Sequence, residues 1–159
     1  MELFLIRHAA AEDASPEQPD ADRALTRKGR KRFKAAVRGL RRLDVRFDVI
    51  RHSPLLRSVQ TAELLAPLLD GQTVVDPRLA EAPSDGLLAG LSGARVALVG
   101  HQPWLGELCA WLTAGDKGHG EAIPIDKGGL AWLSGDPVPG QMHLLALFPL
   151  QPLRRMARK

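Results

Sequence analysis

The chain has one cysteine, no tyrosine, and only seven phenylalanine and tryptophan residues among its 159 positions. A single thiol, Cys109, excludes an internal disulfide framework and any Cys-x-x-Cys metal or redox site, and it fits a reducing compartment. The few aromatics form no stacking pattern, which argues against nucleic acid as the main partner. No run approaches the roughly 18–20 uncharged apolar residues needed to span a bilayer, and the N-terminal MELFLIRHAA meets Arg7 too early to serve as a signal-peptide core. The expectation is a cytoplasmic protein with no membrane segment. Also missing are a Walker A glycine-rich loop, an acidic cluster suited to Mg²⁺, and metal-ligand spacing among the five histidines. Neither nucleotide-dependent phosphoryl transfer nor a bound metal or other cofactor is expected.

What is present describes a globular unit. An apolar fraction of 45% is too high for a disordered chain, and the length suits one core, so residues 1–159 read as a single domain. There is no internal repeat and no linker; the nearest to one is the polar segment 12–24, EDASPEQPDADRA, which reads as a surface loop. The net charge is +4, unevenly spread. Positions 27–46 hold ten basic residues against one acid, Asp44, and the tail adds Arg154, Arg155, Arg158 and Lys159. Such clustering is either a solvated helix face or a surface that attracts nucleic acid or an acidic partner.

Short apolar runs alternate with amphipathic stretches. Leu3–Ile6 reads as a buried strand and Phe47–Ile50 as a second short apolar strand; Arg95–Val99 has the nearly uniform character of a strand buried on both faces, and residues 73–75 suggest a further strand. Thr26 stands where an N-cap belongs, ahead of Phe33, Ala36, Val37, Leu40 and Leu43 at helical spacing. Pro54 can open a helix carrying Leu55, Leu56, Val59, Ala62, Leu65 and Leu69, and Pro103 one carrying Trp104 to Leu112. A short helix is expected over 84–92, and two strands over about 129–133 and 142–148 around a Gly/Pro turn. The pattern predicts a three-layer α/β fold: a mostly parallel sheet flanked by helices, with an antiparallel edge from the last two strands.

Polar clusters follow three of these strands: Arg7-His8, then Arg51-His52-Ser53-Pro54 with Arg57, then Gly100-His101-Gln102-Pro103. The carboxyl ends of strands in an open α/β sheet form the crevice where ligands bind, so the three clusters should converge there. Two arginines and two histidines in one crevice make an anion site, because the guanidinium fork matches phosphate oxygens and stays charged. Metal-free phosphate chemistry with a neutral imidazole nucleophile is consistent with this set.

The motifs LIRHA (Leu5–Ala9), LTRKG (Leu25–Gly29), SPLLRSVQTAE (Ser53–Glu63) and VGHQP (Val99–Pro103) resemble, in order, those of the histidine phosphatase superfamily with its phosphoglycerate-mutase-like fold. The short length, the absence of a large inserted cap and the RHAxA start look most like its SixA branch of phosphohistidine phosphatases. The resemblance implies that His8 becomes phosphorylated, that Arg7, Arg57 and His101 bind the phosphoryl group, and that His101 donates a hydrogen bond to it. Ala9 stands where the family usually has glycine, and should line the phosphate provided its backbone does not need a positive φ. Glu81 is the candidate proton donor, with Asp85 as a neighbour alternative. A phosphohistidine substrate needs only a weak donor, since its leaving imidazole accepts a proton more readily than an alkoxide. The implied partner is a phosphorylated protein; a small phosphate ester, as for a phosphomonoesterase, and a non-catalytic phosphate- or phosphoprotein-binding module are the alternatives. His52, His119 and His143 receive no catalytic role.

Overall fold

A computed structural model describes residues 1–158. Six strands form one sheet: β1 (Glu2–Arg7), β2 (Phe47–His52), β3 (Leu69–Val75), β4 (Arg95–Gly100), β5 (Leu130–Gly135) and β6 (Met142–Phe148), in the order β3-β2-β4-β1-β5-β6. The two strands with the most uniform apolar runs, β1 and β4, lie at the centre and are buried on both faces. They pair in parallel, with Arg7 opposite Gly100, while β2 pairs in parallel with both β4 and β3. β5 pairs antiparallel to β1, and β6 antiparallel to β5. Only β5 therefore runs against the rest, and the last two strands form the antiparallel edge that the sequence predicts. The reversal brings the segment before β5 to the carboxyl ends of β1, β2 and β4.

Alternation along the strands sends side chains to two cores. Phe4, Ile6, Ile50, Ala97 and Val99 face the helices α1 (Arg27–Arg42), α2 (Leu56–Leu64) and α5 (Leu150–Met156). Leu3, Leu5, Val96 and Leu98 face α3 (Asp85–Ala89) and α4 (Trp104–Ala114), giving the three layers expected. Fully burying a leucine such as Leu98 stabilises by roughly 1.5–3 kcal/mol. α1 starts at Thr26, whose hydroxyl accepts from the Gly29 N–H at 2.8 Å, a cap worth about 1 kcal/mol. It buries Phe33, Ala36, Val37 and Leu40, but Leu43 caps its end and is exposed. Gly39 lets α5 approach closely: a Cβ there would meet the Leu153 carbonyl oxygen at 2.0 Å.

Three elements differ from the sequence expectation. The helix after Pro54 ends at Leu64, because Pro67 tightens the chain into a 3₁₀ turn over Ala66–Leu68 and Leu69 already belongs to β3. β3 extends back to Leu69; its middle, Asp70-Gly71-Gln72, is polar and exposed at the sheet edge and so carries no apolar pattern. α5 has no counterpart in the sequence pattern. It is short, and Pro149 and Pro152 read as breakers, although Pro152 falls in the first turn where no intrahelical N–H is needed.

Candidate active site

His8 and His101 follow β1 and β4 by one residue each, on the face that carries Ile6 and Val99. Both are buried, at 6% and 5% exposure, and their ring centroids lie 5.2 Å apart. α2 packs on the same face and delivers Arg57, also buried. Arg7, the last residue of β1, donates from Nη1 to the Ile125 carbonyl at 3.1 Å and lines a cleft with Arg32 of α1 and Arg154 of α5. The expected quartet thus converges at the carboxyl end of the sheet, where His8 feels both Arg57 and Arg7.

The His8 Nδ1 lies 2.7 Å from the carbonyl oxygen of Ala9. A carbonyl can only accept, so Nδ1 carries the proton and the neutral ring keeps its lone pair on Nε2. Burial is the main cause that pushes His8 down to about pKa 3; the Ala9 hydrogen bond opposes this, and the charges of His101, Arg57 and Arg7 add to it. His101 is lowered to about 4, again by burial first and then by Arg57. Both imidazoles are therefore neutral at physiological pH. Burial also lowers the pKa of Arg7, against the opposing charge of Asp126, yet a guanidinium stays charged.

Ser53, quoted in the sequence motif without a role, contacts His101: its Oγ is 2.8 Å from Nε2, while the Ser58 Oγ is 3.4 Å away. Ser53 Oγ also accepts from the Leu55 N–H at 3.2 Å. Thr61 ties the loop after β1 to α2, accepting from the Ala9 N–H at 3.0 Å and donating to the Arg57 carbonyl at 2.6 Å. Gln60 accepts from the Leu25 N–H at 2.8 Å and so fixes the start of the LTRKG segment. The Ala9 amide is committed to Thr61, and Ala9 is fully packed. Among the described residues Asp44 is the one non-glycine with a positive φ, so alanine fits at position 9 without backbone strain.

Asp20, in the polar loop read as mere surface, reaches the site. Its carboxylate lies 3.0 Å from Arg57 Nη2 and 2.8 Å from Arg23 Nε, and its carbonyl accepts from Arg57 Nη1. Desolvation pushes Asp20 upward, but the hydrogen bonds and charges of Arg57 and Arg23 outweigh it and hold the carboxyl below its ordinary value. The Nε atoms of Arg7 and Arg57 and Nδ1 of His101 are buried without a hydrogen-bond partner. Three such nitrogens around two imidazoles form a site suited to an anion with several acceptor oxygens.

The remaining candidates lie apart from this cluster. Glu81 is exposed at the end of the 3₁₀ turn Pro77–Ala80 and borders a small cleft with Trp104. The Trp104 ring meets His101 edge-on at 6.5 Å. Asp85 opens α3 and is exposed. Arg51 turns away, bonding the buried Asp76 at 3.0 Å, which Arg78 also grips at 2.8 Å. His52 is buried with Nδ1 2.9 Å from the Ser53 carbonyl oxygen. His119 and His143 are exposed. Cys109 is fully buried, and burial raises its thiol to about 11, so it is inert filling. Among the described residues no group of three or more His, Cys, Asp or Glu side chains could hold a metal ion, and no helix is long and apolar enough to cross a membrane.

Comparison with known proteins agrees with this geometry. The profile of the histidine phosphatase superfamily (branch 1) matches residues 3–87. An uncharacterized protein of Picosynechococcus is 38% identical over 151 residues, spanning 90% of each chain. The chain assigned as phosphohistidine phosphatase SixA in Agrobacterium tumefaciens superposes with a TM-score of 0.75 at 25% identity, over 92% of this chain and 96% of that one. The protein histidine phosphatase SixA complexed with tungstate gives a TM-score of 0.80 at 24% identity, over 96% and 99%. The chain belongs to the histidine phosphatase superfamily. It is a phosphatase, and its phosphoglycerate-mutase-like fold is that of the SixA structures.

Proposed function

We propose that the protein is a cytoplasmic, single-domain, metal-independent phosphatase that removes the phosphoryl group from phosphohistidine in a protein partner through a phosphohistidine intermediate on His8. Nε2 of His8 attacks phosphorus, the P–N bond of the substrate breaks, and the departing imidazole nitrogen takes up a proton. Water then attacks the phosphoryl group on His8, the second P–N bond breaks, and phosphate leaves with His8 restored. Arg7 and Arg57 neutralise the phosphoryl oxygens throughout. Ser53 donates its hydroxyl proton to His101 Nε2, so that Nδ1 of His101 carries an N–H for a phosphoryl oxygen.

The observation that carries this reading is the bare Nε2 of a neutral His8, fixed by the 2.7 Å hydrogen bond from Nδ1 to the Ala9 carbonyl. The substrate class is supported by the poverty of proton donors beside it. The carboxylate nearest the quartet, Asp20, is held ionised by two arginines, and Glu81 makes no hydrogen bond or ion pair with the cluster. A P–N bond tolerates that better than an alkyl ester does. The similarity to SixA proteins points the same way.

The test is parallel turnover of a phosphohistidine-containing protein and a panel of phosphate esters by wild type, His8→Ala and Glu81→Gln. Rapid P–N cleavage, an inactive His8→Ala and a nearly normal Glu81→Gln support the proposal. Preferred ester cleavage with a collapsed Glu81→Gln makes Glu81 the donor of a small-molecule phosphomonoesterase. Phosphate binding without any turnover or phosphoenzyme leaves a binding module.

A further inference from the structure

Charge on this molecule is concentrated along one groove. Lys28, Lys31, Arg32 and Arg38 on the outer face of α1 meet Arg154 of α5 and Arg158, two residues past its end, across a groove of about 370 Å³, and no acidic side chain lines it. Arg32 and Arg154 also wall the adjoining cleft of about 540 Å³, where they join Lys127 and Arg7, with Asp126 the one acid. The two depressions share the wall made by Arg32 and Arg154, and Arg7 of the phosphatase site lines the second. The basic side chains of α1 lie at spacings of three, four and seven residues, the repeat that puts them on one helix face. Among the described residues none of the six groove cations forms a salt bridge within the chain. The Nε of Arg154 is buried without a partner.

We propose that this groove receives an acidic segment of the substrate protein next to its phosphohistidine, so that the groove docks the carboxylates while the phosphorylated side chain enters beside Arg7. This rests on the phosphohistidine reading above. Positions 28 to 38 of α1 span about 15 Å. An extended chain covers that length with about five residues. The groove walls offer guanidinium forks, which match carboxylates bidentately, and no aromatic ring on which a base could stack. An acidic peptide suits them better than a nucleic acid. Steering by such a charged track acts mainly on encounter and weakens with ionic strength.

The experiment uses two synthetic phosphohistidine peptides, one with five flanking Asp/Glu residues and one with neutral flanks, together with free phosphohistidine. The expected result is a kcat/KM at least tenfold higher for the acidic peptide in low salt, an advantage that vanishes in about 0.5 M salt. In Lys31→Gln/Arg38→Gln that advantage falls several-fold, while turnover of free phosphohistidine is unchanged. Equal turnover of the two peptides by wild type overturns the proposal. Titration of the unphosphorylated acidic peptide, followed by fluorescence anisotropy, reads the groove apart from catalysis. Salt-sensitive binding weakened by the double variant, even where no phosphohistidine is cleaved, keeps the groove and removes only the proposed activity. Absence of binding, or a single-stranded oligonucleotide that binds more tightly than the peptide, refutes the acidic-segment assignment.

Discussion

The carboxylate of Asp20 stands 3.0 Å from the guanidinium of Arg57, pairing a donor of the proposed phosphoryl site. Asp20 is 60% exposed, so this ion pair is worth at most about 1 kcal/mol. Asp20→Asn is therefore expected to tighten the inhibition constant of inorganic phosphate by up to about fivefold. Weaker phosphate binding in the variant would instead mean that Asp20 orients Arg57 for the anion. Calorimetric titration of phosphate into the two proteins distinguishes the outcomes.

The two buried imidazoles set the acid limb of the pH profile. His8 titrates at about 3 and His101 at about 4, both below the ordinary 6.5. The rate constant kcat/KM should stay level from pH 7 to about 5 and fall only as His101 and then His8 take up protons. Stability follows the same groups. Below 6.5 the unfolded chain binds protons that the folded protein refuses, so their contribution is fully present above that pH and is lost as pH falls toward 4 and 3. A rate profile that breaks near 6.5 would contradict the burial argument. So would a denaturation midpoint whose pH dependence is unaltered in His101→Asn.

In the proposed mechanism Ser53 is a positioning residue for His101. Ser53→Ala removes the 2.8 Å contact to Nε2 and frees the proton to occupy either ring nitrogen. A fall in kcat of about tenfold is expected, with KM little changed, in keeping with the loss of one oriented donor. Ser53→Cys, which retains a weak donor, should recover part of the rate. Equal losses in kcat for both variants, matched by equal losses of stability, would indicate a packing role alone.

Ala9 should accept glycine and nothing larger. Its side chain is fully buried and its backbone needs no positive φ, so Ala9→Gly retains activity at a cost of about 0.5–1 kcal/mol in stability. Ala9→Val forces two extra methyl groups against α2 and should abolish turnover while costing roughly 1–3 kcal/mol. Thermal unfolding and turnover of the two variants check both halves of the statement.

The sequence revealed those parts of the site that lie directly after uniform apolar strands or on a patterned helix. His8, His101 and Arg57 are in that position, and alternation along β1 and β4 is enough to put the two histidines on one face. Asp20 was hidden because a loop of Asp, Pro and Glu carries no periodicity, and the reach of one of its carboxylates depends on tertiary placement. The Ile125 and Ala9 carbonyls were hidden for another reason: every residue has one, so no side chain marks them. Ser53 did carry a signal, since it is part of the motif around Arg57, but hydroxyl-to-imidazole pairing across 48 positions needs the fold. The β5 reversal was half legible, because apolar patterning fixes that a strand exists and not which way it runs.

The hydrogen bond from His8 to its own chain neighbour has a practical result. Because the acceptor is the main-chain carbonyl of Ala9, alanine scanning cannot remove it, and no side-chain substitution elsewhere will register as its loss. The protonation pattern of the proposed nucleophile is thereby written into the peptide backbone and protected from point mutation. It becomes visible only to methods that read the ring itself, such as the ¹⁵N shifts of its two nitrogens.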